Sequence, residues 1–182
     1  MKTSETKTIY TIGHSTRDWP EFLELLQSFE IQLLADIRTF PGSRRFPHFN
    51  QENLKKLLPQ NGIAYQHLPG LGGRRKMKKD SQNNRWNNPS FRGYADYMET
   101  EDFETAVSEL EKLAAEQITV YMCSEAVWWR CHRSMVSDYL KARGWEVLHI
   151  MAKDTVQPHK YTAPARLEDG KVFYSDKDLF SE

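Results

Sequence analysis

The sequence predicts one α/β domain: a mostly parallel five-stranded sheet flanked by helices, with a pocket at the C-terminal edge of the strands. Three observations predict it. Short apolar runs alternate along the chain with segments of helical periodicity, which is the order of a parallel sheet whose crossovers are helices. Those runs end in polar or ionisable groups, at Gly13-His14-Ser15-Thr16-Arg17, Asp36-Ile37-Arg38, His67-Leu68-Pro69 and Cys123-Ser124-Glu125. The length of 182 residues suits a single domain, residues 1–182, large enough for its own core.

Each element has its own local reason. Residues 8–16 are a buried strand running into a small polar loop. Asp18 caps the helix that follows, with Pro20 in its first turn and Glu21 completing a capping box. Trp19, Phe22, Leu26 and Phe29 recur at helical spacing and read as core. Residues 31–40 are a second buried strand, and two prolines and a glycine make 41–49 a loop. Asn50 caps a helix with Leu54, Leu57 and Leu58, which Asn61-Gly62 stops. A third strand covers 63–69. Residues 70–90 lack periodicity and are rich in Gly, Asn and Lys, so they form a long basic loop of the kind that is functional or mobile. Phe91–Met98 is a short aromatic helix. Thr100 caps the next, whose inner face is Phe103, Val107, Leu110 and Ala114. The fourth strand is 118–123, His132–Arg143 is a helix closed by Gly144, and 145–151 is the fifth strand. The α/β core is thus 7–151, followed by a tail, 152–182, with a hairpin about Asp169-Gly170.

Composition excludes several classes. No apolar run approaches the roughly 20 residues that cross a membrane. The first residues, MKTSETKTIYTIG, hold no apolar leader core, so a cytoplasmic protein is expected. Basic and acidic residues balance at 25 each, which argues against a general nucleic-acid coat. Two cysteines eight positions apart in such a chain read as reduced groups with chemistry rather than as a staple.

The richest stretch is VYMCSEAVWWRCHRSM, 120–135. Cys131 falls at a helix start, where free N–H groups and the helix dipole favour a thiolate, and His132 and Arg133 push the same way. Cys123, Cys131, Glu125, His14 and Asp36 are therefore the candidate catalytic groups: nucleophile, general acid/base and orienting carboxylate. The bland alternative is a half-buried cysteine under a helix, with Arg133 paired to Glu125 or Asp36. Arg38, Ser43, Arg44, Gly72, Gly73, Arg74, His132 and Arg133 are candidate binding residues, because arginines in Gly/Ser loops hold phosphate or carboxylate. Trp128 is a candidate wall for a planar group, the alternative being an anchor in the core. No metal or other cofactor is expected. A zinc site from Cys123, Cys131, His132 and His14 is the less favoured arrangement, since adjacent Cys-His rarely meet one ion. Residues 74–92 hold seven basic groups against Asp80 alone, interleaved with Trp86 and Phe91, which suits phosphate contacts with base stacking. His48, His149 and His159 carry no such context and read as structural.

Taken together, TIGHSTR, LLADIRTFPGSRRFPHF, GIAYQHLPGLGGRR, FRGYADYM and MCSEAVWWRCHRSMVSDYL resemble the domain-of-unknown-function family numbered 488, over about residues 8–151. The resemblance implies a small α/β fold whose pocket these motifs form. It implies no activity. The Val127-Trp128-Trp129 insert departs from the shorter or more polar loop expected of relatives.

The expectation is an enzyme acting on an anionic, nucleotide- or nucleic-acid-like substrate. Two alternatives stand beside it. One is a module that binds nucleotide or nucleic acid without turnover. The other is a rhodanese-like thiol or sulfur-transfer enzyme, for which six residues between Cys123 and Arg130 are one more than the related phosphatase signature has.

Overall fold

The computed structural model describes residues 6–176. A parallel sheet forms from β1 (Thr8–Gly13), β2 (Leu33–Asp36), β3 (Ala64–His67), β4 (Thr119–Cys123) and β5 (Glu146–Ala152), ordered β3-β2-β4-β1-β5. The expected count of five becomes six. β6 (Thr155–Pro158) folds back antiparallel on β5 through a turn at Lys153-Asp154, where Asp154 takes a positive φ of 54°. The sheet therefore ends in the hairpin strand expected only as tail. A second hairpin, β7 (Arg166–Glu168) with β8 (Lys171–Phe173), turns at Asp169-Gly170 as the sequence indicates. Residues 177–182 of the expected tail lie outside the described residues.

Five helices cover the two faces: α1 (Trp19–Ser28), α2 (Gln51–Gln60), α3 (Pro89–Met98), α4 (Glu101–Glu116) and α5 (Arg133–Ala142). The period-2 alternation of the strands sends side chains to different cores. Ile12, Leu34, Val120 and Met122 meet Phe22, Leu26, Leu54 and Leu58 of α1 and α2. Ile9, Leu33, Ala35, Tyr121 and Cys123 meet Tyr94, Phe103, Leu110, Met135 and Leu140 of α3, α4 and α5. Phe22 and Phe103 are fully buried, and Trp19 and Phe29 pack against the first of these cores.

Capping follows the sequence with one change. Asp18 accepts from the Glu21 N–H at 2.9 Å, and Thr100 accepts from the Phe103 N–H at 3.3 Å. Asn50 stands at the N-cap position of α2 but makes no cap bond, because its side chain accepts from the Ser43 N–H instead and ties down the 41–49 loop. Among the described residues, no helix is long and apolar enough to cross a membrane.

Connections explain where a site must open. β1 and β2 continue into α1 and α2 on one face, whereas β4 continues into α5 on the other. Neighbouring strands β1 and β4 therefore send their loops to opposite sides, the topological switch at which open α/β sheets leave a crevice.

Candidate active site

A cavity of about 710 Å³ opens at that switch point, lined by the ends of β1, β2 and β4 and by the loops before α3 and α5. The two strand ends stay locked together beyond the sheet. His14 N–H donates to the Cys123 carbonyl and Ser15 N–H to the Ser124 carbonyl, each at 3.0 Å. The Glu125 peptide crosses so close over Gly13 that a Cβ there would stand 1.7 Å from its carbonyl oxygen. Only glycine permits this crossing, and the crossing aims the β4 loop into the cavity.

The two cysteines are free thiols and touch. Cys131 Sγ lies 2.9 Å from Cys123 Sγ, 3.4 Å from His132 Nδ1, and accepts the Arg133 N–H at 3.5 Å. Burial works against a charge on Cys131, yet the Cys123 thiol, the Arg133 guanidinium and the Arg133 N–H outweigh it and lower the Cys131 pKa. Burial raises Cys123 well above the ordinary thiol value, and the hydrogen bond to Cys131 adds to the rise. The pair is thus differentiated: the shifts favour the thiolate on Cys131, with Cys123 as its hydrogen-bond donor. Burial lowers the His132 pKa, which keeps the ring neutral beside the Cys131 sulfur.

Arg133 is 1% exposed and does not line the cavity. It donates to the Glu125 carbonyl at 3.0 Å and to Thr11 Oγ1 at 2.9 Å. The second bond continues inward through residues that the sequence marked as structural. Asp138 accepts from His159 Nε2 at 2.8 Å, so His159 Nδ1 accepts from His149 Nε2 at 2.9 Å. His149 Nδ1 then accepts the Thr11 hydroxyl at 2.6 Å, whose oxygen receives Arg133. Burial holds His149 far below its usual pKa, which keeps it neutral in this chain. Tyr174 and Thr162 complete the Asp138 carboxylate. The chain fixes the direction of the Arg133 fork beneath Cys131.

On the opposite face of β2, Asp36 is fully buried and pairs with Arg38, receiving Nε at 2.8 Å and Nη2 at 2.7 Å, while Tyr65 donates to it at 2.7 Å. Arg38 Nη1 donates to His14 Nε2 at 3.2 Å. Arginine offers no acceptor, so His14 carries its proton on Nδ1 and gives it to the Ser15 carbonyl. Burial lowers His14 to about 4, with Arg38 helping. Its free lone pair is already taken. The arrangement makes His14 and Asp36 positioning groups for Arg38 rather than the base and carboxylate expected of them, and Asp36 itself does not line the cavity.

The other expected residues divide. Glu125, Cys123, Cys131, His132, Ser43, Gly73, Arg74, Arg38 and His14 line the cavity. Arg44 is exposed and lies off it, and Gly72 is buried where a Cβ would stand 2.4 Å from Thr39 Oγ1, so it serves packing. Trp128 lines nothing there. Its indole stacks on His149 at 4.5 Å and 3° between planes, and donates to Gln157 at 3.2 Å. It anchors the insert in the core, the reading set beside the wall. Trp129 is 50% exposed. Among the described residues, no group of three or more His, Cys, Asp or Glu side chains is placed to hold a metal ion.

Phe91, expected as a stacking surface, does line the cavity, and the missed residues Phe40, Phe46 and Tyr94 complete an aromatic wall there, with Arg130 a third lining arginine beside Arg38 and Arg74. Arg74 sits over the Phe40 ring at 5.7 Å. The FPGSRRF spelling held the signal for Phe40 and Phe46, since two aromatics flank the Gly/Ser turn. The basic loop is pinned rather than free. Burial would raise Asp96, but hydrogen bonds from Ser81, Asn83 and the Lys78 N–H outweigh it and hold its carboxyl below the usual range. Arg75, Arg85 and Arg92 are tied to the protein, and Trp86 packs on Phe91 and Tyr174.

The family model described as "Domain of unknown function DUF488" matches residues 18–140, more than half of the 182. The chain belongs to the DUF488 family. The DUF488 match holds Asp-Ile-Arg, Leu-Gly-Gly-Arg and Cys-x-Glu…Cys-His-Arg, while the Gly-His-Ser-Thr turn precedes it. No curated protein and no solved structure matches the chain.

Proposed function

We propose that the cavity is the active site of a cysteine-dependent enzyme acting on an anionic, nucleotide-like substrate. The observation that carries the reading is the Cys131 sulfur. It stands at the start of α5, receives the Cys123 thiol and the Arg133 N–H, and faces an arginine-lined cavity. A thiolate so held is the attacking form of cysteine. It adds to the electrophilic centre of the substrate as the bond to the leaving group breaks, Glu125 at the cavity passing a proton to that group, and water then displaces the adduct from sulfur and restores the thiol. Arg38, Arg74 and Arg130 take the anionic part, and Phe40, Phe46 and Phe91 take the flat part. The cavity volume suits a ligand of nucleotide size.

A panel of nucleotides, modified nucleosides and thioesters tests this by thermal shift, followed by turnover assays of each hit. A hit should also shield Cys131 from iodoacetamide. Cys131→Ser and Glu125→Gln should abolish turnover while leaving the fold intact. Folded variants that turn over a hit as wild type does would refute the assignment. Steeply salt-dependent binding without turnover, together with a Cys131 of ordinary reactivity, favours the pure binding module instead. The contact between the two sulfurs favours sulfur transfer as the second reading, tested by adding sulfane-sulfur donors to the panel.

A further inference from the structure

We propose that Cys123 and Cys131 form a reversible two-electron redox site in which hydroperoxides oxidise Cys131 and Cys123 resolves the product as an intramolecular disulfide. The inference deepens the active-site reading, since it rests on Cys131 being the reactive thiolate. Its own basis is the geometry of the pair. The two sulfurs are 2.9 Å apart, so under about 1 Å of approach brings them to the roughly 2.05 Å of a disulfide. Their backbones are already tied, because Arg133 of α5 holds the Glu125 carbonyl just beyond β4. Both sulfurs border the cavity, Cys131 the more exposed at 6% and Cys123 at 2%. Sulfurs so arranged divide the work into a first reactant and a resolver.

Atoms and electrons balance as follows. The Cys131 thiolate attacks the terminal oxygen of the hydroperoxide, forming an S–O bond as the O–O bond breaks; the alkoxide, or hydroxide from hydrogen peroxide, leaves and takes a proton. Cys131 is now a sulfenic acid, and the two electrons have gone to the peroxide. The Cys123 sulfur attacks Cys131, the S–O bond breaks, and the Cys123 proton leaves with the hydroxyl as water. A dithiol reductant restores both thiols by exchange. Loss of the Cys131 negative charge in the first step frees Cys123 for the second, because that neighbouring anion is one of the causes holding the Cys123 proton in place. The seven residues between the cysteines, Glu125 and Arg130 among them, become a covalently closed loop at the cavity.

The test treats the reduced full-length protein with stoichiometric hydrogen peroxide at low concentration and maps it by mass spectrometry after cleavage at Glu125. The expected product is a monomer whose 123 and 131 peptides are joined with loss of two hydrogens. It should have lost iodoacetamide labelling at Cys131, and dithiothreitol should restore it. Cys123→Ser should instead carry Cys131 onward to sulfinic and sulfonic acid. Sulfinic or sulfonic acid at Cys131 in wild type, with Cys123 still a thiol, overturns the proposal. So does a Cys131 that alkylates rapidly as a thiolate but forms no bond to Cys123, an outcome that leaves the active-site reading standing. A wild-type Cys131 that alkylates only at ordinary thiol pH removes the active-site reading, whether or not the disulfide forms.

Discussion

Replacing Cys123 by alanine isolates the interaction on which the proposed Cys131 thiolate depends. Cys131 has two hydrogen-bond donors at its sulfur: the Cys123 thiol at 2.9 Å and the Arg133 N–H at 3.5 Å. The shorter disappears in Cys123→Ala, and the Arg133 charge remains. A hydrogen bond to a charged group contributes about 1.5–3 kcal/mol, and one pKa unit corresponds to about 1.4 kcal/mol. The Cys131 pKa should therefore rise. Rapid-mixing alkylation with iodoacetamide, resolved by peptide mass and followed from acid to alkaline pH, reads this as a displaced inflection. Below the wild-type inflection the rate should fall about tenfold or more, in step with the lost thiolate. Cys123→Ser keeps a hydroxyl donor and should recover most of the shift. Thermal unfolding of each variant separates this from a general loosening, since a small cavity replaces the thiol. Coincident profiles for wild type and Cys123→Ala, both folded, would show that the thiol does not hold the anion.

Two further outcomes follow from the same geometry. Acid should destabilise the fold from pH 6.5 downward: burial lowers the folded pKa of His14 to about 4 and that of His149 further, so the unfolded chain takes up protons that the folded one refuses. The His14 contribution is present above pH 6.5 and falls away toward pH 4, by up to about 3 kcal/mol; urea unfolding at pH 7.5 and 4.5 reads it, and a flat profile would contradict the buried neutral imidazoles. Gly13→Ala should cost at least about 3 kcal/mol, since its Cβ meets the Glu125 carbonyl at 1.7 Å, backbone that must move. An unchanged melting temperature for that variant would mean that the β4 loop does not cross where it is placed.

The fold was legible because its signals are local. Apolar runs, caps at Asp18 and Thr100, stops at Gly62 and Gly144 and the Asp169-Gly170 turn each act within a few residues. Asn50 shows the limit. The sequence correctly marks a helix start, but which N–H its side chain serves depends on where Ser43 lies after folding. The sixth strand was hidden for a related reason. Thr155–Pro158 is short and ends in proline, which a central strand disfavours and an edge tolerates, and its edge position is set by β5 rather than by its own residues.

The cavity was legible as a place, and the contacts its residues make much less so. Strand ends carrying ionisable groups pointed to the right edge of the sheet, since the topology of an α/β sheet decides where loops converge. Roles depend on partners, and partners are distant in sequence. His14 looks like a base until Arg38, 24 positions away, occupies its lone pair. His149 and His159 look inert until Thr11, 138 positions from His149, and Asp138 turn them into a directed chain ending at Arg133. Trp128 beside reactive groups suggested a ligand wall, yet the aromatic surface facing the cavity comes from Phe40, Phe46 and Phe91, while Trp128 seals His149 from the other side. The two tryptophans of the insert thus separate by environment. Trp128→Ala should cost about 3–5 kcal/mol through a cavity over His149, and Trp129→Ala, half exposed, should stay within about 0.5 kcal/mol. If Trp128→Phe, which keeps a ring over His149, preserves both the melting temperature and ligand protection of Cys131, the insert is an anchor for the active-site loop; loss of that protection alone would return Trp128 to the ligand.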